Sequence, residues 1–215
     1  MDAVIENLPT FLEGFRNTLA LLGIAGVGAL LLGLIVAGLR ISPVGSFRGF
    51  ATVYTEIVRN TPLTLVLFFC AVLLPYLNFQ PGYFALAAIG LTVYTSPFIA
   101  EALRSGVNGV HVGQAEAARS IGLTFGQTLS FIVMPQAVRM VIPPLINVLI
   151  ALTKNTSVAG AFFVLELFGS ARKVTNIRGD EVLAILLAVG VFYLLITVSL
   201  GLIAARVEKK VAVLR

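Results

Sequence analysis

A polar segment near the middle of the chain contains the residue types whose spacing is most informative. Glu116-Ala117-Ala118 is followed, after three intervening residues, by Gly122 and then, after nine more, by Ile132-Val133-Met134-Pro135. The chemistry that these residues allow is contact between proteins. Ala115 and the alanines after it permit close approach of a partner's surface, while Glu116 and Arg119 can form charged contacts. Glycine accepts the left-handed conformation beyond a helix, so we expect a helix over 114–120 with Gly122 placed to end it.

The residues after Gly122 carry a second local signal. Thr124 and Gln127 have the spacing of a capping box, in which each side chain accepts from the other's backbone N–H. This pattern predicts a second short helix that starts at Thr124 and runs toward Val133.

Residues for catalysis or cofactor binding are scarce. Cys70 is the single cysteine and His111 the single histidine, so the sequence predicts neither an internal disulfide nor a His/Cys metal cluster. A phosphate-binding loop of the form GxxxxGK[ST] requires a Gly-Lys dipeptide, which the sequence lacks. We therefore expect no enzyme activity, metal or cofactor on this chain.

Composition places the chain in a membrane. It has 58% hydrophobic and 12% charged residues and a mean hydropathy of +1.00, whereas soluble domains have about 45–50% apolar and about 25% charged residues. The net charge of +5 comes from basic residues that border apolar runs, a pattern typical of membrane topology rather than of nucleic-acid binding. The segment before the first run is acidic, unlike a secretory signal, so we expect that run to be retained as a span.

Runs of uncharged residues predict five transmembrane helices in a single domain over residues 1–215, with a polar loop at about 101–134. A hairpin turn around Pro75, Asn78 and Gly82 separates spans two and three. The fourth span contains Pro143-Pro144 and is expected to break at Lys154-Asn155-Thr156-Ser157. The predicted spans are about 18–39, 61–77, 83–100, 135–153 and 182–205.

The distribution of Lys and Arg predicts the orientation of these spans. The N-terminus, the Pro75 turn and the 153–180 loop hold five, whereas the 40–60 loop, the 101–139 loop and the tail hold ten. Basic residues favour the cytoplasmic side. We therefore expect the N-terminus outside and the C-terminus in the cytoplasm.

The segment that contains Glu116-Ala117-Ala118, Gly122, Ile132 and Pro135 resembles the cytoplasmic coupling loop of bacterial ABC importer permeases. Residues 54–63 and 151–157 resemble two further segments of the polar amino-acid family, which includes histidine, glutamine and glutamate permeases. Residues 59–65 and 151–156 are most similar to glutamate uptake permeases. The resemblance implies an all-α transmembrane domain of a type I ABC importer in the bacterial cell membrane.

The resemblance also implies roles for particular residues. An ATPase would contact the coupling loop at Ala115, Glu116, Ala117, Ala118, Arg119 and Gly122; the alternative is an ordinary alanine-rich loop helix. A cation within a membrane segment often marks a substrate path. Many family members have Asp where this chain has Asn155, which leaves Lys154 less neutralised and favours an anionic substrate. The candidate path residues are Lys154, Asn155, Thr156, Ser157, Arg59, Tyr94 and Ser96.

Several of these path residues have structural alternatives. Arg59 could extend to the membrane interface or pair with Glu56. The hydroxyl groups of Tyr94, Thr95 and Ser96 could serve helix packing, and Lys154 could be a surface lysine. Thr61 and Pro62 fit the start of a helix, where the missing N–H of proline has no cost.

The function that the resemblance implies is the permease subunit of an ATP-driven amino-acid importer, with glutamate as the expected substrate. The expected partners are two ATP-binding subunits that hydrolyse ATP, a second permease subunit, identical or homologous, and an extracytoplasmic amino-acid-binding protein. Alternating access driven by ATPase closure is the implied mechanism. A stand-alone channel or secondary carrier for small polar solutes is the alternative, and a membrane enzyme is a weaker one because no carboxylate pair lies within a span.

Overall fold

The computed structural model describes residues 2–212, with side chains up to residue 209, and the described residues form helices joined by short connections. In chain order the elements are α1 Asp2–Glu6, α2 Leu8–Arg40, α3 Gly45–Asn60, α4 Leu63–Phe68, a π-helical turn Phe69–Leu73, α5 Leu74–Tyr76, α6 Tyr83–Asn108, α7 Val112–Ser120, α8 Phe125–Gln127, a π-helical stretch Thr128–Val133, α9 Met134–Ala159, a 3-10 turn Gly160–Phe162, α10 Leu167–Thr175, a 3-10 turn Gly179–Glu181 and α11 Val182–Ala212.

Within the described part of the chain, four helical stretches are long and apolar enough to cross a membrane: Leu8–Arg40, Tyr83–Asn108, Phe125–Phe162 and Gly179–Lys209. A fifth candidate is the bent pair Gly45–Asn60 and Leu63–Tyr76. The four long helices are longer than the predicted spans, because they continue into polar sequence. The segment between the long helical stretches is 109–124, shorter than the predicted loop at 101–134. Helix α6 continues to Asn108, the short helix α7 lies within the segment, and the next long helical stretch begins at Phe125.

The bend between α3 and α4 follows from one proline. Thr61 and Pro62 have extended backbones with ψ of 134° and 136°, because a proline disfavours the helical conformation of the residue before it. The Thr61 hydroxyl donates to the Ile57 carbonyl 2.8 Å away and helps to close the last turn of α3. The two helices meet at 101°. Thus Pro62 lies just before α4 rather than inside it.

Small residues, which recur every four positions at Ala25, Ala29 and Gly33, bring α2 and α6 together. Ala25 and Ala29 are fully buried, and a Cβ at Gly33 would lie 2.9 Å from the Ser96 carbonyl oxygen on α6. Close backbone approach of this kind supplies van der Waals contact where lipid tails provide no hydrophobic driving force. The largest apolar cluster continues from α2 to α9 through Leu21 and Leu152.

The fourth span does not break where the sequence suggested. Helix α9 passes through Lys154 to Ser157 and ends at Ala159, and the chain turns at Phe163, which has a φ of 64°. The helix accommodates the hydroxyl-bearing residues because their hydroxyl groups are satisfied within it. The hydroxyls of Thr153, Thr156 and Ser157 donate to carbonyls three or four residues earlier at 2.7–2.9 Å.

The bundle has two distinct ends. At the α10 end, Asn17 donates to the Leu165 carbonyl at 2.8 Å and the rings of Tyr83 and Phe163 lie 4.9 Å apart. At the α7 end, Arg40 forms an ion pair with Glu101. The N-terminal segment, the hairpin turn and the 160–180 connection therefore share one end, and the 40–60 and 101–127 segments share the other, as the predicted topology requires.

Candidate functional site

The loop that contains Glu116 is built by local backbone chemistry. Gly122 has a φ of +90°, its N–H donates to the Arg119 carbonyl at 3.0 Å, and the Leu123 N–H donates to the Ala118 carbonyl at 3.2 Å. These two bonds form a Schellman motif. Thr124 and Gln127 form the predicted capping box. Both local predictions are confirmed, although the helix after Thr124 continues into α9 instead of being short.

One face of α7 packs against the rest of the chain, and the other face is exposed. Ala118 is buried against the π-helical stretch, while Glu116, Ala117 and Arg119 are exposed and Ala115 is half-buried. Large apolar side chains surround them in a polar loop: the exposed fractions are 69% for Val112, 81% for Ile121 and 74% for Phe125. Exposed apolar residues with flanking charges are typical of a protein interaction surface.

A second candidate region lies between α6 and α9. Tyr94, Thr95 and Phe98 on α6 face Asn147, Ala151 and Asn155, which recur every four residues along α9, and Val148 and Leu152 complete the lining. The groove between them has a volume of about 330 Å³. We call these eight residues the α6–α9 groove. Hydroxyl and amide groups set in an apolar wall suit a small polar ligand.

Two features of the α6–α9 groove favour a ligand. Tyr94 and Asn155 are half-buried and Asn147 is exposed, so their hydroxyl and amide groups are accessible to a solute in the groove, whereas the Thr95 hydroxyl is buried and, among the described residues, has no hydrogen-bond partner. Arg59 lies 5.6 Å from the centroid of the Phe98 ring and 4.0 Å from Glu101 Oε2. Among the side chains described, the acidic neighbour of Arg59 is thus Glu101 and not Glu56. Glu56 instead accepts a hydrogen bond from the Asn60 amide.

The structure brings some of the predicted path residues together and separates others. Tyr94 and Asn155 line the α6–α9 groove, and Lys154 is exposed on α9 beside Asn155. Ser96 lies elsewhere: it is fully buried, and its hydroxyl is 2.7 Å from the Tyr54 hydroxyl, so it fits the packing alternative.

The hydroxyls of Thr156 and Ser157 also lie outside the groove. They donate to carbonyls of their own helix, those of Thr153 and Lys154, at 2.7 Å. Their place in the structure is therefore within the α9 backbone network.

Sequence reasoning missed several polar residues of the site. Glu101, treated only as a loop boundary, accepts from Arg40 and Arg104 as well as facing Arg59. Asn147 lies in the groove, and its isolated position in the uncharged run 140–153 was a usable signal, since polar groups in spans are often functional.

Glu166 is the third missed residue. It is fully buried and caps α10, accepting from the N–H groups of Phe168 and Gly169 at 3.0 and 2.7 Å and from the Tyr193 hydroxyl at 2.6 Å. Burial raises the pKa of the Glu166 carboxyl despite these three donors. Its hydrogen bonds therefore link α10 to α11.

The described residues include no group of three or more His, Cys, Asp or Glu side chains that could hold a metal ion. The donors in the α6–α9 groove are hydroxyls and amides, without a nucleophile and base in contact. The arrangement can bind and pass a solute and can dock a partner protein.

Comparison with known proteins identifies the family. Residues 29–213 match the family described as binding-protein-dependent transport system inner membrane component. The chain is 40% identical over 218 residues to the glutamate transport system permease protein GluC of Corynebacterium glutamicum, covering 95% of each chain. It is 32% identical to the glutamine transport system permease protein GlnP of Escherichia coli over 221 residues, covering 99% of this chain and 98% of the other.

Solved structures agree with this assignment. A chain of an amino acid ABC transporter crystallised with histidines superposes with a TM-score of 0.90 at 25% identity, over 96% of each chain. The MetNI methionine transporter shares the fold, with a TM-score of 0.74 at 20% identity, over 95% of this chain and 97% of that chain. Permease subunits of such transporters are non-catalytic inner-membrane components whose ATPase is a separate chain. The chain therefore belongs to the binding-protein-dependent transport system inner membrane component family, as an amino-acid ABC transporter permease.

Proposed function

We propose that this permease imports glutamate and that the substrate crosses the membrane along the α6–α9 groove. The observation that carries the proposal is the accessible polar lining of the groove, where the Tyr94 hydroxyl lies on α6 and the amides of Asn147 and Asn155 lie on α9. Hydroxyl and amide groups can bind the amino and carboxylate groups that all amino acids share. The 40% identity to the glutamate permease GluC supports the choice of substrate.

Two cations favour an anionic amino acid. Lys154 is exposed beside Asn155, and Arg59 lies against Phe98, so a positive charge flanks the α6–α9 groove near each end. Glutamate carries one net negative charge, and such cations stabilise it along the path. Asn155 leaves the Lys154 charge uncompensated by a carboxylate at that position.

The complete transporter, as we propose it, contains two permease subunits and two ATP-binding subunits and receives its substrate from an extracytoplasmic amino-acid-binding protein. The α7 loop faces the cytoplasm in this arrangement, and the ATPase covers Val112, Ile121 and Phe125 together with Glu116 and Arg119. Closure of the ATPase pair on ATP pushes α7, and the rigid connections from α7 into α6 and α9 open the path outward. Hydrolysis of ATP returns the path inward.

Uptake by the reconstituted complex tests the substrate. Proteoliposomes that contain ATP and receive the binding protein are supplied with radiolabelled glutamate, aspartate, glutamine or arginine. We expect glutamate to enter fastest, and Lys154→Met to reduce its uptake about tenfold, whereas Arg172→Gln, which removes an exposed cation on α10, leaves uptake unchanged. Unchanged uptake by an assembled Lys154→Met complex would remove Lys154 from the path. Preference for glutamine or arginine would overturn the substrate.

A further inference from the structure

We propose that an anionic phospholipid binds at the α7 end, with its phosphate on Arg104 and an acyl chain between α2 and α9. A second groove lies there, distinct from the α6–α9 groove, with a volume of about 460 Å³. Its walls include Leu34 and Gly38 from α2, Ile41 directly after α2, Leu103 from α6 and Val138 and Ile142 from α9. Among the described residues that line this α2–α9 groove, Arg104 is the charged one.

The charges at the mouth of the groove fit a phosphate. Arg104, Arg40 and Arg59 all approach the single carboxylate of Glu101, so this cluster holds three guanidinium groups for one carboxylate. The side chains of Arg59 and Arg104 keep 40% of their surface exposed. Guanidinium groups bind phosphate oxygens through directed, charge-assisted hydrogen bonds. An anionic headgroup would therefore balance the excess positive charge.

The amphipathic character of helix α3 supports headgroup depth for this cluster. It crosses α4 at 101°, and its exposed residues Phe47, Phe50 and Ile57 share one face while Arg48 and Glu56 lie on another. An amphipathic helix of this kind lies in the plane of the membrane interface. Arg59 is in the last turn of α3, so the arginines meet the phosphate layer.

The groove has the length that an acyl chain needs. From Ile41 to Leu34 it follows α2 for ~10 Å at the helical rise. A smaller apolar groove of about 320 Å³ continues it and shares Leu145, reaching Leu22 and extending the path to ~28 Å. One leaflet of hydrocarbon is about 15 Å thick. A chain anchored at Arg104 can thus lie wholly within the groove.

A transmembrane helix from a second permease subunit is the competing occupant. Such a helix would fill the apolar walls but would supply no anionic partner for the excess arginine charge. The lipid satisfies both parts of the site at once, since its headgroup is charged and its tail is apolar.

Retention of defined lipids by the purified complex tests the proposal. The complex is equilibrated in mixed micelles with equal phosphatidylglycerol and phosphatidylcholine, and bound lipid is counted by native mass spectrometry. We expect a preference of about tenfold for phosphatidylglycerol, equivalent to about 1.4 kcal/mol. Gly38→Phe should abolish it by filling the groove, because a Cβ at Gly38 meets no atom within 4 Å. Gly190→Phe on α11, where the space is also open, is the matched control.

A second pair of variants tests the charge. Arg104→Gln leaves Glu101 paired with Arg40, and we expect it to reduce the preference to less than about twofold, whereas Arg172→Gln at the α10 end leaves it intact. Equal retention of the two lipids by the unmodified complex would overturn the proposal. Photo-cross-linking of a photoreactive amino acid at position 38 to another membrane subunit would also overturn it, because a helix would then occupy the groove.

Discussion

At the scale of single residues, Asn155 sets the charge that faces a substrate in the α6–α9 groove. It is half-buried, lines the groove and lies next to the exposed Lys154. An amide there can accept and donate hydrogen bonds without opposing an anion. A carboxylate in the same place would repel one.

Asn155→Asp should therefore reduce glutamate uptake about tenfold and change glutamine uptake less, because a carboxylate within ~5 Å of the substrate costs an anion on the order of 1 kcal/mol or more. Initial uptake rates of the two amino acids, measured with the same complex, give the comparison. Asn155→Ala is the control, since it removes the amide without adding charge. Equal loss of glutamate and glutamine uptake in Asn155→Asp would contradict the electrostatic explanation.

Glu166 gives a prediction about pH. Burial raises the pKa of its carboxyl above the ordinary value of 4.5, so the folded protein holds this proton more tightly than the unfolded chain does. The contribution of Glu166 to stability is then complete below about pH 4.5 and is lost as pH rises through the folded pKa.

Glu166→Gln removes this titration while keeping an acceptor for the Gly169 N–H. We expect the unfolding midpoint of the variant, relative to the unmodified complex, to rise as pH increases from about 4.5. Thermal unfolding in detergent between pH 4.5 and 8 measures it. A difference that stays constant across this range would show that the Glu166 carboxyl titrates alike in the folded and unfolded protein.

At the scale of elements, local signals were predicted well and long-range contacts were not. The Gly122 turn and the Thr124 capping box depend on neighbours within a few residues, which is why their spacing identified them. The break predicted at Lys154 failed because polarity alone does not interrupt a helix whose hydroxyls bond its own carbonyls. The meeting of Arg59 with Glu101 depends on how α3 folds back against α6, which no local pattern encodes.

The Gly122 turn allows the proposed role of the α7 loop to be tested. At a φ of +90° any side chain strains the backbone, at a cost of about 1–2 kcal/mol. Gly122→Ala should therefore shift α7 and weaken ATPase retention several-fold, about 1 kcal/mol. Gly126→Ala, at a nearby glycine that has open space and an ordinary φ, should leave retention unchanged. Affinity capture of the complex followed by quantification of each subunit distinguishes the two.

At the scale of the whole molecule, composition and charge predicted a membrane protein with two unlike ends, and the structure groups the predicted segments accordingly. Arg178 joins the N-terminal helix to the α10 end through Glu6 at 2.9 Å, while Arg40 and Arg59 converge at the α7 end. The four long helices could be predicted because an uncharged run of about 20 residues is typical of a transmembrane helix. Which amino acid the permease carries depends on a few side chains in the α6–α9 groove, and the overall pattern does not encode it.

Binding of the ATPase to the α7 loop is tested most directly by capture of the ATPase with the tagged permease. Ala117→Arg places a long side chain on the exposed face of α7, and Ala161→Arg makes the same change at an exposed alanine near the α10 end. We predict that the unmodified chain and Ala161→Arg retain the ATPase equally, while Ala117→Arg loses at least about nine-tenths of it, a tenfold effect. Equal retention by both variants in folded complexes would contradict the account.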